Sequence, residues 1–266
     1  MTKFEELFSQ YPCLRNDEEV KNAIATILSE EYEANNNEEV WKQCLHQIDL
    51  TTLNGDDTTE KVVKMTSKVN DFPKQYPSIP NVAALCVYPA LVSAVHETLT
   101  EPVGIAAVAA GFPASQTFIG VKGAESALTV KEGATEIDIV ISIGKFLEGN
   151  YQEVFDEIAE IKDAVQPAHL KVILETGALK TAENIYKASI LAMAAGADFI
   201  KTSTGFGGGG ATREDVALFA KHIGPNVKIK AAGGIANLQD AEDFIRLGAS
   251  RLGTSRIVKA VKAMET

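Results

Sequence analysis

Cysteine is scarce: Cys13, Cys44 and Cys86 are the only three in 266 residues, an odd number without ligand spacing. Neither a disulfide framework nor a cysteine-bound metal is expected, and reduced thiols are. Histidine is sparse too. The four, His46, His96, His169 and His222, show no clustered ligand pattern, which argues against a metal site. No apolar run approaches the ~20 residues that span a bilayer, and Met1-Thr2-Lys3-Phe4-Glu5-Glu6 has no signal-peptide pattern. A cytoplasmic protein is expected. Positive charge is also in deficit. With 25 Lys and Arg against 36 Asp and Glu, the net charge is −11, which argues against nucleic acid and anionic membranes as partners. An anionic substrate would therefore need a locally positive pocket.

What is present is an ordinary globular composition, 45 % hydrophobic and 23 % charged. The first 45 or so residues differ from the rest. Phe4, Leu7 and Phe8, then Val20, Ala23, Ile24, Ile27 and Leu28, recur at helical spacing. Asn16-Asp17 can cap the second helix and Asn35-Asn36-Asn37 breaks it. Residues 1–45 are expected to form a helical extension packed on a catalytic domain of residues 46–266.

From Gln47 the pattern is a short apolar strand followed by a helix, repeated. Candidate strands are Gln47–Leu50, Ala83–Val87, Val103–Val108, Glu136–Ile141, Lys171–Glu175, Phe199–Lys201, Lys228–Lys230 and Arg251–Leu252. Continuous apolar strands with helices between them imply a parallel sheet covered on its outer face. Gly133-Ala134-Thr135-Glu136-Ile137, Gly196-Ala197-Asp198-Phe199-Ile200 and Gly248-Ala249-Ser250-Arg251-Leu252 echo one another: a glycine ends a helix and a strand follows at once. Eight such units predict an α/β fold, a (β/α)₈ TIM barrel with an N-terminal helical extension. A doubly wound open sheet is the alternative, but its GxGxxG fingerprint is missing after the first strand.

Reactive groups of such a barrel lie at the C-terminal ends of strands. Those ends offer Asp49 on strand one, Cys86 on strand two, Asp138 on strand four, Lys201 on strand six and Lys230 on strand seven. A lysine at a strand end is ordinarily a snorkelling surface residue. Two on adjacent strands are different, because each ammonium disfavours the other and burial disfavours both. An ordinary lysine, with a pKa of ~10.4, is under ~0.1 % neutral at pH 7; a value of about 7–8 would make it an available nucleophile. Asp138, inside a β-branched run, is costly to bury without a cation or donor. It is either a core salt bridge to one of these lysines or a proton-transfer group.

Glycines gather after the last strands: Gly205, Gly207 and their neighbours after strand six, Gly233 and Gly234 after strand seven, and Gly253-Thr254-Ser255 at the start of the last helix. Backbone amides there can hold a phosphate without basic side chains.

These segments resemble class I deoxyribose-phosphate aldolase. The resemblance is carried by Asp49-Leu50-Thr51-Thr52-Leu53, Leu85-Cys86-Val87-Tyr88-Pro89, Gly111-Phe112-Pro113, Glu136-Ile137-Asp138-Ile139-Val140, Lys171-Val172-Ile173-Leu174-Glu175-Thr176-Gly177, Ala197-Asp198-Phe199-Ile200-Lys201-Thr202-Ser203-Thr204-Gly205, Lys230-Ala231-Ala232-Gly233-Gly234-Ile235 and Gly253-Thr254-Ser255. It implies a cofactor-free, metal-free enzyme of deoxyribonucleotide catabolism that reversibly cleaves 2-deoxy-D-ribose 5-phosphate to acetaldehyde and D-glyceraldehyde 3-phosphate. By position, Lys201 resembles the Schiff-base lysine, Lys230 the lysine that perturbs it, and Asp138 the proton-transfer carboxylate. Asp49, Cys86 and Thr204 support them, and Gly205, Gly207, Gly233, Gly234, Gly253, Thr254 and Ser255 hold the phosphate. Phe206 and Ala236 depart from the pattern, since some members place basic residues there, and Lys230-Ala231-Ala232 departs from proline- or serine-containing versions. The expected partners are small molecules, a sugar phosphate and acetaldehyde, and a homodimer is compatible with such a barrel. A Schiff-base aldolase for another sugar phosphate and a catalytically silent sugar-phosphate sensor remain open.

Overall fold

The computed structural model describes residues 2–11, 16–29, 38–255 and 257–258. Three helices come first: α1 (Lys3–Ser9), α2 (Asp17–Ser29) and α3 (Glu38–His46). Strands and helices then alternate: β1 (Ile48–Thr51), α4 (Thr59–Gln75), β2 (Ala84–Val87), α5 (Val92–Thr98), β3 (Gly104–Val108), α6 (Ile119–Lys131) and β4 (Glu136–Val140). The second half runs α7 (Ile143–Leu147), α8 (Tyr151–Ala164), β5 (His169–Ile173), α9 (Thr176–Leu179), α10 (Ala182–Ala194), β6 (Phe199–Lys201), α11 (Arg213–His222), β7 (Lys228–Ala232), α12 (Leu238–Arg246) and β8 (Arg251–Gly253). The eight strands pair in parallel in sequence order, and β8 returns to β1 to close the barrel.

Local chemistry explains the punctuation. Side chains of Thr58, Thr181, Thr212 and Asn237 accept from the first-turn amides of α4, α10, α11 and α12. Asn16 Oδ1 does the same for the Glu19 amide of α2, as its position before the apolar repeat predicts. The echoed glycines Gly133, Gly196 and Gly248 have φ of +113°, +97° and +113° and turn each helix into its strand. At Gly248 an added Cβ would also meet the Ala220 Cβ at 2.9 Å.

The strands sort by parity, as a period of two requires. Leu85, Ile105, Ile137, Leu170, Val172, Ile200, Ile229 and Leu252 join the large core beneath the helices. Ala84, Cys86, Ala106 and Val108 form a separate small apolar cluster with Leu53, Tyr88 and Phe112. Three expected strands shift in ways that bear on the site. β5 begins at His169 and stops at Ile173, because Glu175 takes a left-handed φ of +55° and opens α9. β1 and β7 run on to Thr51 and Ala232, so Asp49 and Lys230 lie within their strands, deeper than a strand end.

The leading helices meet the barrel's outer layer. Phe4 and Phe8 of α1 are buried, and Phe8 packs edge-on to Tyr151 at 5.4 Å between centroids. Tyr186 of α10 donates its hydroxyl to the carbonyls of Phe8 and Tyr11, and Trp41 of α3 donates to Glu242 of α12. Cys13 and Asn35-Asn36-Asn37 lie outside the described residues; Cys44 and Cys86 are free, buried thiols.

Gly248→Ala is expected to cost about 1–3 kcal/mol through the forced positive φ and the Ala220 clash. An unchanged denaturation midpoint would contradict this account of the helix-to-strand turn.

Candidate active site

Burial inside the barrel is where charge is least expected, and this chain gathers seven ionisable lysine, arginine and carboxylate side chains there. Register explains the grouping. Asp138 on β4 pairs with Lys171 on β5, Lys201 on β6 with Lys230 on β7, and Lys230 with Arg251 on β8. Asp138 is fully buried, and its two oxygens serve three amines. Lys171 Nζ lies 2.8 Å from Oδ1, while Lys201 Nζ at 2.8 Å and Lys230 Nζ at 2.9 Å share Oδ2. Lys230 also donates to Asp49. Lys171 reaches Glu136 at 2.5 Å and Asp49 at 3.4 Å. Arg251 bridges Asp49 at 2.6 Å and Glu136 at 2.8 Å.

The three amines differ in what surrounds them. Burial pushes Lys201 below the usual lysine range, and the Lys230 ammonium pushes the same way, while Asp138 opposes them only in part. Burial acts on Lys230 as well, but Asp138 and Asp49 outweigh it and hold that amine above its usual range. Lys171 is likewise held well above its usual range, against burial, by Asp138, Asp49 and Glu136. Burial alone would raise Asp138, yet Lys171, Lys201 and Lys230 together keep it ionised well below the carboxylate range. Burial, aided by the Asp138 charge, raises the Cys86 thiol, so it stays protonated beside the amines.

Sequence reasoning singled out Lys201, Lys230, Asp138, Asp49 and Cys86, and all five meet in this cluster. Asp138 is salt-bridged to both lysines, as the salt-bridge reading of it expects. Lys171, Glu136 and Arg251 were missed as site residues. The signal available was parity: each shares the inward phase of a strand that already offers an inward charge or faces one in register.

The rim is built differently. Thr204 donates its hydroxyl to Glu175 Oε2 at 2.5 Å and accepts from the amides of Phe206 at 3.0 Å and Gly207 at 3.3 Å. The loops after β6 and β7 lie back to back: the Ala211 amide donates to the Ala232 and Gly233 carbonyls, and a Cβ on Gly210 would meet the Gly233 carbonyl carbon at 2.6 Å. Gly205, Gly233 and Gly234 have φ of +86°, +80° and +77°. The Gly207 amide is thus engaged by Thr204, the Gly233 amide points to the Gly253 carbonyl at 3.5 Å, and the Thr254 hydroxyl donates to the Ile235 carbonyl. Gly253 lies inside β8, and Ser255 borders a groove with Leu50, Thr52 and Lys61. The amides of Gly205 and Gly234 make no hydrogen bond among the described residues. An aromatic line crosses the mouth. Exposed Phe206 stands edge-on to Phe112 at 5.6 Å, and Phe112 meets Tyr88 at 6.5 Å.

Among the described residues no group of three or more His, Cys, Asp or Glu side chains is arranged to hold a metal ion, and no helix is long and apolar enough to cross a membrane.

A closed parallel barrel with buried lysines around an ionised carboxylate is the architecture of a TIM-barrel enzyme. Residues 44–250 match the model of the DeoC/LacD family aldolases. The chain is 42 % identical to a deoxyribose-phosphate aldolase of Clostridium botulinum over 84 % of its own length and 97 % of the relative's. It is 47 % identical to that of Streptococcus pyogenes over 68 % and 80 %. The structure is similar to a tetrameric deoxyribose phosphate aldolase from Aeropyrum pernix, with a TM-score of 0.71 and 26 % identity, covering 92 % of this chain and 98 % of that one. The chain belongs to the DeoC/LacD family of aldolases.

The depressed carboxylates set an acid limit. Asp49 and Asp138 titrate below their unfolded value near ~3.9, so the stability they contribute is complete above about pH 5 and falls as pH drops through their folded values. The melting temperature should hold above that pH and decline below about pH 4. Asp138→Asn should cost about 3–5 kcal/mol at neutral pH and flatten the acid decline; an acid profile parallel to wild type would contradict the assignment.

Proposed function

We infer that this chain is a Schiff-base aldolase that reversibly cleaves 2-deoxy-D-ribose 5-phosphate to D-glyceraldehyde 3-phosphate and acetaldehyde. One observation carries the reading: in a cluster where Lys171 and Lys230 are held charged, Lys201 is the amine held below its usual pKa. A neutral buried amine is a nucleophile for an aldehyde carbonyl. The identity to deoxyribose-phosphate aldolases supports the choice of substrate.

The chemistry follows from the positions. Lys201 Nζ adds to C1 of the open-chain sugar, and loss of water gives an iminium that withdraws electrons from C2. Removal of the C3 hydroxyl proton turns the C3–O electrons into a carbonyl, and the C2–C3 pair moves into the iminium to give an enamine. D-Glyceraldehyde 3-phosphate leaves. The enamine takes a proton at C2, and water hydrolyses the resulting iminium to acetaldehyde and free Lys201. Asp138 lies 2.8 Å from Lys201 Nζ and is the carboxylate at hand to relay these protons, through water where the substrate stands off. Lys230 keeps Asp138 ionised and adds its charge against a proton on Lys201. Asp49 fixes Lys230, and Cys86 offers a small neutral wall beside the amines. The uncommitted amides of Gly205 and Gly234 are the donors for the phosphate, with Gly233 and the Gly207 turn shaping the cradle. The expected partners are the sugar phosphate and acetaldehyde, in the cytoplasm.

Borohydride added with deoxyribose 5-phosphate should leave a two-carbon adduct on Lys201, read by peptide mass spectrometry. Lys201→Ala should abolish both adduct and turnover with the circular dichroism spectrum intact. Retained turnover would sink the Schiff-base reading; phosphate binding without an adduct would favour a sensor. Asp138→Asn, where folded, should lower kcat by about 10²–10⁴.

The rim yields a separate expectation. A charge-assisted phosphate contact is worth about 1.5–3 kcal/mol, so Phe206→Lys should lower KM for deoxyribose 5-phosphate roughly tenfold. KM for unphosphorylated deoxyribose should not follow. Equal changes for both sugars would remove the phosphate from this loop.

A further inference from the structure

The barrel floor beneath Lys201 is balanced in charge without it. Asp49, Glu136 and Asp138 supply three carboxylates; Lys171, Lys230 and Arg251 supply three cations, and each of these cations contacts at least two of the carboxylates. Lys201 contacts Asp138 alone. A proton on Lys201 would therefore leave one net positive charge in an enclosed site, which low-polarity surroundings disfavour.

The other strands do not change the balance. β2 contributes the neutral Cys86 thiol, and β3, Gly104–Val108, carries no titratable side chain. Phe199 closes the floor, with Lys171 Nζ at 5.8 Å and the Arg251 guanidinium at 5.5 Å from its ring centroid. The same ring also meets Lys228, 5.6 Å from the centroid, and His169, edge-on at 6.3 Å; His169 faces Asp198 at 3.8 Å, and Asp198 is already bonded to Lys162 at 2.6 Å.

We propose that Glu136 and Arg251 are positioning residues for the aldol reaction, which they serve by setting the charge count of the floor so that Lys201 is the amine left without a compensating carboxylate. Neither contacts Lys201. Each acts through shared partners: Glu136 through Lys171, and Arg251 through Asp49 and so Lys230. The coupling has a definite sign. Loss of the Arg251 charge leaves a carboxylate in excess and favours a proton on Lys201. Loss of the Glu136 charge leaves a cation in excess and disfavours it. Loss of both restores the balance. This rests on the Schiff-base role of Lys201 and adds to it the residues that tune the nucleophile.

The test is the pH dependence of acetaldehyde trapping on Lys201 by cyanoborohydride, read by peptide mass spectrometry on the full chain. Arg251→Met should raise the pH midpoint by a unit or more, with about tenfold less trapping per unit below it. Glu136→Gln should lower the midpoint, Arg251→Lys should leave it near wild type, and Glu136→Gln with Arg251→Met should return it there. If Arg251→Met does not fold, the direction of the Glu136→Gln shift decides. Trapping with one common midpoint in every variant overturns this inference alone. Absence of trapping in the wild-type chain overturns the Schiff-base reading and this inference with it.

Discussion

Asp138 is a carboxylate with no exposed surface that accepts from three lysines on three successive strands, and the interior of the barrel is arranged around it. An isolated buried carboxylate would be expelled or protonated. Three amines make its ionised form the stable one, but an amine is equally costly to bury, so each needs further carboxylates. Asp49 and Glu136 answer that need for Lys171, Lys230 and Arg251. The network closes on itself with Lys201 as its single loosely held member. The catalytic reactivity proposed for Lys201 is the remainder of an electrostatic arrangement that the fold must satisfy to exist.

The same requirement divides the barrel interior in two. β4 to β8 and β1 face inward with charge, whereas β2 and β3 face inward with Ala84, Cys86, Ala106 and Val108. Small side chains on one side leave space opposite the lysines, and Tyr88 and Phe112 cap that side toward the mouth. A short carbon chain on Lys201 would meet apolar surface on one flank and charged groups on the other. Charge repulsion alone would not produce this geometry. It takes the strand register, which sets Asp138 opposite Lys171 and Lys201 opposite Lys230.

Much of this was legible in the sequence, for a physical reason. An inward charge in a short apolar strand is conspicuous shortly before a glycine-rich turn, as at Lys201 and Lys230, or inside a β-branched run, as at Asp138. Lys171, Glu136 and Arg251 occupy the first or middle positions of their strands, where a charge reads as a surface boundary. Their inward phase follows only from register with a neighbour, a long-range property. The end of β5 was misjudged for a related reason: Leu174-Glu175 continues the apolar pattern, but Glu175 turns left-handed so that its carboxylate can hold Thr204. Glycine positions after β6 and β7 were readable, whereas the commitment of the Gly207 amide and the Thr254 hydroxyl to neighbouring loops was not.

The proposed phosphate site at the rim would resolve the charge puzzle of an acidic aldolase in a way that protects the floor. Were the phosphate held by lysines close to Asp138, a dianion would compete with the carboxylates for the same ammonium groups and disturb the balance that lowers the Lys201 pKa. Backbone amides at Gly205 and Gly234 carry no titratable charge, and they sit in loops braced against each other through Ala211. As the proposed phosphate donors they would attract an anion by fixed dipoles whose field falls off faster than that of a full charge. Recognition at the mouth would thus be separated from proton transfer at the floor. In the proposed mechanism Lys201 keeps its lowered pKa because the anion-binding end of the site leaves its electrostatics alone.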